Sequence, residues 1–133
     1  DNLYNHHYNN TNVNVLEKIF KINNLISEHE EEIANPILNY LDSREDLNLI
    51  GKNKITNKNR APTISFYSNK KSSKEISNNL YRYKIATRND NFYAWRCLNY
   101  LGINTNDGVV RLSMTHYNNN EDTEKVIKAL KQI

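Results

Sequence analysis

Apolar residues in the first third of the chain recur with the spacing of an amphipathic helix. Between Val13 and Leu41 they follow one another at intervals of three, four or seven residues, at Leu16, Ile19, Ile22, Ile26, Ile33, Ile37 and Leu41. This spacing places them on one face of a long helix. Pro36 removes one helical hydrogen bond, so we expect a kink or a break near Asn35, or two successive helices.

Short strand and helix patterns alternate along the rest of the chain. The predicted strands are Leu47 to Ile50, Thr63 to Tyr67, Lys84 to Thr87 and Val109 to Met114. Helices are predicted after Ser72, from Asn91 to Leu101 before Gly102, and after the N-cap Asn119. This order predicts an α+β domain, in which helices pack on a small mixed sheet of about four strands, preceded by the long helix.

A length of 133 residues suits one domain. Residues 1–12 lack apolar periodicity and are predicted to form a lead-in arm, and residues 13–133 form the domain. The adjacent His6 and His7 would need further ligands to hold a metal ion, and the other histidines are His29 and His116. We expect no metal site.

Charge and composition exclude several classes of protein. The net charge is +3, and the one basic cluster (Lys52, Lys54, Lys58 and Arg60) lies among asparagines, so we expect no nucleic-acid partner. The single cysteine, Cys97, excludes an internal disulfide and fits a reducing compartment. No apolar run approaches the roughly 20 residues of a membrane span, so we expect a cytoplasmic protein with no membrane partner.

Two arginines occupy strand positions. Arg111 lies inside the last predicted strand, and Arg88 lies at the end of the predicted strand before it. Strand alternation places Arg111 on the face opposite Val110 and Leu112. A guanidinium matches a carboxylate with two parallel hydrogen bonds. The pattern leaves open whether these arginines face water or bind a carboxylate.

Three segments resemble the C-terminal domain of cysteine desulfurase-like proteins, which belong to the class V aminotransferases. They are RAPTISFYS from Arg60, KIATRNDNFYAWRCLNYLG from Lys84 and DGVVRLSMTHYNNNEDTEKVIKAL from Asp107. The resemblance covers roughly residues 15 to 133. It implies the small C-terminal domain of a fold-type I pyridoxal-phosphate enzyme, with the large cofactor domain absent from the chain.

The same resemblance implies the roles of four residues. Arg111 matches the arginine that grips the substrate α-carboxylate, Arg88 matches the arginine at the head of the active-site loop, and Asn91 and Tyr93 line the cleft. Tyr93 stands where desulfurases carry the cysteine that accepts sulfur, and a phenol cannot form a persulfide. The resemblance therefore leaves the amino acid and the reaction open.

Family members attach pyridoxal phosphate to a lysine that follows a histidine. None of the 12 lysines here follows a histidine. The resemblance thus implies an enzyme that acts on an amino acid when complete with its own large domain, as a homodimer, whereas this chain alone is expected to be inactive. The alternative is a non-catalytic binding or regulatory module that retains the small-domain fold.

Overall fold

A computed structural model describes residues 2–8, 12–56 and 59–133. Residues 1 and 9–11 of the predicted arm and Lys58 of the basic cluster lie outside these ranges. The helices are α1 (Asn2–His7), α2 (Val15–Asp42), α3 (Ser73–Arg82), α4 (Trp95–Tyr100) and α5 (Asn120–Leu130). The strands are β1 (Leu47–Ile50), β2 (Thr63–Ser68), β3 (Arg88–Asp90) and β4 (Val109–Ser113). From α2 onward this is the predicted order of elements.

The four strands form one sheet in the order β1-β2-β4-β3. The predicted α+β class is confirmed, but each neighbouring pair is antiparallel, so the sheet is not mixed. The main core lies on one face of this sheet, where Phe66, Val110 and Leu112 pack against α2, α3 and α5. The predicted alternation in β4 is confirmed, since Val110 and Leu112 are buried and Arg111 projects from the opposite face.

Helix α2 is continuous through Pro36, so a break near Asn35 and a division into two helices are wrong, and the kink stays a prediction. Pro36 lies on the exposed side of the helix, where water can satisfy the carbonyl that loses its donor. The predicted apolar face is buried only in the C-terminal half of the helix. Ile33, Ile37 and Leu41 are at most 1% exposed, whereas Leu16 is 78% exposed.

Two other boundaries differ from the prediction. The strand predicted at Lys84 to Thr87 lies instead at Arg88–Asp90. Lys84 has a φ of 58° and turns the chain after α3, so pairing with β4 begins only at Arg88. Helix α4 begins at Trp95 rather than at Asn91 because Phe92 and Tyr93 have φ values of 51° and 59°, which no right-handed helix contains.

The caps predicted for two helices are confirmed. The Ser72 side chain accepts a hydrogen bond from the Glu75 amide at the start of α3. Asn119 and Asp122 form a reciprocal capping box at the start of α5. Inside the predicted arm, α1 buries Tyr4, whose ring stacks on that of Tyr8 with 4.9 Å between centroids. The division into an arm and a domain stays a prediction.

Candidate functional site

A row of polar side chains crosses the sheet on the face opposite the main core. The strand register places Ser65 of β2 opposite Arg111 of β4, and Arg111 opposite Arg88 of β3. Residues that are directly opposite in neighbouring strands share a face of the sheet. The structure thus brings together the two arginines that the sequence singled out, and adds Ser65 beside them.

This row contains hydrogen-bond donors without an acidic partner. Over the described ranges, no carboxylate lies within ion-pair distance of Arg88 or Arg111, and the Ser65 hydroxyl makes no hydrogen bond. Arg111 is half-buried and Arg88 is exposed. Two like charges directly opposite each other in a sheet destabilise it. An anion bound between them would remove that cost.

Phe92 holds the Arg111 guanidinium from one side. The guanidinium carbon lies 4.1 Å from the centre of the Phe92 ring. A cation–π contact of this kind leaves the N–H groups that point away from the ring available to an acceptor. Phe92 is itself anchored, because it packs against a second apolar cluster of Leu98, Ile103 and Val109.

Asn91 braces the loop that carries Phe92. Its side-chain oxygen accepts a hydrogen bond from the Tyr93 amide at 3.0 Å, and its side-chain nitrogen donates to the Thr105 carbonyl at 3.4 Å. The side chain therefore supports the turn in which Phe92 and Tyr93 have positive φ. The cleft-lining role of Asn91 stays a prediction, and its side-chain amide is engaged within the loop.

Gly108 permits this loop to approach β4. A Cβ atom on Gly108, whose φ is 70°, would lie 2.2 Å from the Asp90 carbonyl carbon and 2.6 Å from the Asn91 nitrogen. Only glycine fits this position, because both the space and the backbone angle exclude a side chain. Gly108 thus brings β3 and the loop after it against the start of β4.

Two further residues of interest lie at the surface near this loop. Tyr93 is fully exposed, and Cys97 is exposed on α4. A groove of about 760 Å³ lies elsewhere, beside β1, and neither arginine lines it. In the described part of the chain, no three His, Cys, Asp or Glu side chains are grouped to hold a metal ion. None of the helices in these ranges has both the length and the apolar composition that crossing a bilayer requires.

Residues 12–126 match the model of the family described as aminotransferase class-V. The chain belongs to this family. Among curated proteins, it is 31% identical over 110 residues to the aminotransferase-like protein FGM3 of Gibberella zeae, covering 81% of this chain and 27% of that protein. It is 28% identical over 110 residues to a cysteine desulfurase of Shigella flexneri, covering 83% of this chain and 25% of that protein. The resemblance inferred from the sequence is confirmed.

Solved structures share this fold. The apo cysteine desulfurase of Thermococcus onnurineus NA1 gives a TM-score of 0.69 at 24% identity, over 80% of this chain and 25% of that one. The cysteine desulfurase CsdA of Escherichia coli gives a TM-score of 0.66 at 19% identity, over 80% of this chain and 24% of that one. The chain thus spans about a quarter of the length of its curated relatives.

Sequence reasoning missed three residues of the site. Ser65 could have been found from the alternation in β2, since Ile64 and Phe66 point to the core and Ser65 must point away. Gly108 follows an aspartate immediately before a strand, which is typical of a turn. Nothing in the sequence indicates that Phe92 packs on Arg111.

Proposed function

We propose that this chain forms the substrate-binding part of a pyridoxal-phosphate-dependent enzyme of the class V family, and that Arg111 binds the α-carboxylate of an amino acid. The observation that carries the proposal is the half-buried Arg111 guanidinium, which rests on Phe92 without an acidic partner in the described ranges. A partly desolvated cation without a partner costs free energy, and a carboxylate that binds through two hydrogen bonds offsets that cost.

The neighbours of Arg111 orient the substrate. Phe92 packs against the guanidinium and restricts its position. Ser65 offers a hydroxyl donor beside it on β2, and Arg88 offers a second cation on β3. Phe92, Ser65 and Arg88 all lie on strands or on a loop that is held by hydrogen bonds. The substrate would therefore bind in one orientation.

The residues described here fit the substrate and do not fit the cofactor. No lysine lies in any of the four strands, and no lysine of the chain follows a histidine. Pyridoxal phosphate, when bound, supplies an electron sink for bonds to the amino acid's α-carbon. We place its attachment in a large domain outside this chain, and we propose that this chain alone is inactive.

Tyr93 bears on which reaction is performed. The family resemblance places it where cysteine desulfurases carry the sulfur-accepting cysteine. A tyrosine has no sulfur atom with which to form a persulfide, so we do not propose desulfuration by that route. The substrate class remains an amino acid, and the reaction is one that needs the carboxylate to be held while a bond at the α-carbon changes.

The exposed half of α2 supports packing against another part of an enzyme. Val15, Leu16, Ile19 and Phe20 are each more than half exposed, although their spacing is that of a buried helix face. An apolar strip of this kind is typical of an interaction surface. We propose that the large domain covers it, with a homodimer as the complete form.

The test replaces Arg111 by glutamine in a polypeptide that contains this chain together with its cofactor domain. We expect kcat/KM for the amino-acid substrate to fall by about 100-fold, or about 2.7 kcal/mol, because the carboxylate loses its charged partner. Arg82→Gln is the matched control, since Arg82 lies at the end of α3 on the other side of the sheet. An unchanged kcat/KM in Arg111→Gln would refute the assignment.

A non-catalytic binding module is the second candidate, and the lack of an attachment lysine in this chain favours it. Such a module would use the same arginine row to bind a carboxylate without chemistry. The sequence encoded upstream distinguishes the two candidates. A histidine-lysine pair within about 250 further residues, a length that suits one or two domains, would support the enzyme as the correct candidate.

A further inference from the structure

The two arginines of the site are placed to bind two anionic groups rather than one. Arg88 and Arg111 are direct partners in the β3–β4 register, so their Cα atoms are about 4.5–5.5 Å apart and their side chains leave the same face. Each guanidinium can donate two parallel N–H hydrogen bonds, and a single carboxylate accepts one such pair. The second guanidinium is then left for another acceptor.

Within residues 2–8, 12–56 and 59–133, the chain supplies no acceptor for Arg88. The acidic residue closest to it on the same strand face is Asp90, and one oxygen of that carboxylate accepts a hydrogen bond from the Asn91 amide at 2.7 Å. Over residues 59–133, no ion pair joins Asp90 to either arginine. The cross-strand pair of cations is therefore uncompensated until a ligand binds.

The two arginines differ in burial and in their contacts, which indicates different binding roles. Arg111 is half-buried and fixed on Phe92, as a site for the common part of all amino acids requires. Arg88 is exposed at the beginning of an edge strand, and its long side chain can adjust to a variable group. This arrangement separates a constant carboxylate subsite from a side-chain subsite.

We propose that Arg88 binds a second anionic group on the substrate's side chain, so that the site prefers dicarboxylic amino acids over neutral ones. This inference rests on the proposed role of Arg111. It makes Arg88 a specificity-determining residue, because loss of its guanidinium removes the preference while the α-carboxylate still binds to Arg111. The neutral amide of a dicarboxylic amino acid has nearly the same shape but carries no charge on its side chain.

The experiment uses the ¹⁵N-labelled chain and two matched pairs of ligands, L-aspartate with L-asparagine and L-glutamate with L-glutamine. Side-chain Nε–H resonances of the arginines are followed by NMR at constant ionic strength. We expect at least one acidic ligand to bind about tenfold more tightly than its amide. The acid should shift the resonances of both Arg88 and Arg111, whereas the amide should shift that of Arg111 alone.

Variants separate the inference from the proposal on which it rests. Arg88→Gln should abolish the preference and leave amide binding unchanged, Arg88→Lys should keep part of it, and Arg82→Gln should have no effect. Equal affinities for acid and amide, with Arg111 responding to both, overturn the inference alone. Weaker amide binding in Arg88→Gln also overturns it, because both arginines would then share one carboxylate. No response of Arg111 to any ligand overturns the proposed function as well.

Discussion

Replacement of Gly108 by alanine should destabilise the domain and disturb the arginine site together. The added Cβ would lie 2.2 Å from the carbonyl carbon and 2.3 Å from the oxygen of Asp90, and both are backbone atoms. A flexible side chain could move away, but a peptide group held between β3 and the following loop cannot. The clash must therefore displace the Asp90–Asn91 peptide, which leads directly to Phe92.

The magnitude follows from two separable costs. Alanine at a positive φ costs about 1–2 kcal/mol, of which about 0.4–1 kcal/mol is offset because alanine restricts the unfolded chain. Forcing an extra carbon into filled space costs a further 1–3 kcal/mol or so. We thus expect Gly108→Ala to lower the free energy of unfolding by about 1–4.5 kcal/mol.

Gly102→Ala is the matched control. Gly102 has the same φ of 70°, but a Cβ atom there would have nothing within 4 Å. It should therefore show only the cost of the backbone angle, about 1 kcal/mol or less. Urea unfolding gives both values, with an unchanged m-value showing that the two-state transition is retained.

The difference between the two variants measures the steric contact alone. Equal destabilisation of Gly108→Ala and Gly102→Ala would refute the reasoning, since it would mean that β3 and its loop do not press against Gly108. A second readout concerns the site. Because the displaced peptide carries Phe92, the Nε–H resonance of Arg111 should shift in Gly108→Ala and stay in place in Gly102→Ala.

Three further predictions concern other parts of the molecule. The hydrogen bonds from Arg44 hold the pKa of Asp46 below its ordinary value, so this pair stabilises the fold above about pH 4 and loses its effect as the carboxyl protonates in acid. Asp46→Asn should thus be less stable than the parent at pH 7, and the difference should shrink progressively as the pH falls below about 4 in urea unfolding; a constant difference would contradict this. Tyr93→Asn should raise the free energy of unfolding by about 0.5–1 kcal/mol, measured by thermal unfolding. Asparagine tolerates the positive φ, and the exposed tyrosine ring makes no packing contacts that would be lost. A lower free energy of unfolding would show that the ring is packed. Borohydride treatment of this chain with pyridoxal phosphate should trap no adduct at one defined lysine, and mass spectrometry that found one would contradict the placement of the cofactor.

The elements that depend on local apolar pattern could be predicted from the sequence. In β4, the alternation of Val110 and Leu112 with Arg111 fixes which side faces the core, because only one choice buries the apolar side chains. The N-caps at Ser72 and Asn119 are equally local. Each consists of a hydrogen bond from a backbone amide to a side chain three residues earlier. These predictions need no knowledge of the rest of the fold.

The boundaries around the site depend on contacts between distant residues, and for that reason they could not be predicted. Asn91 to Leu101 has good helical spacing, but its first residues are pulled into a turn by the Asn91 side chain and by the contact of the Asp90–Asn91 peptide with Gly108. The start of β3 is fixed by its pairing with β4, which is more than 20 residues away in sequence. Burial of the α2 face likewise depends on what packs against it, and only its C-terminal half meets the sheet.

The unfavourable backbone of Phe92 and Tyr93 is the strongest structural argument that this loop serves the proposed site. Two consecutive non-glycine residues with positive φ cost of order 1–3 kcal/mol each, and such a cost persists only where the surroundings impose it. Here Asn91, Gly108 and the cluster around Leu98 impose it. What the protein gains is a phenylalanine ring held against Arg111, because a helix beginning at Asn91 would carry Phe92 away from β4. The loop with positive φ thereby orients the Arg111 guanidinium, the cation of the proposed carboxylate site.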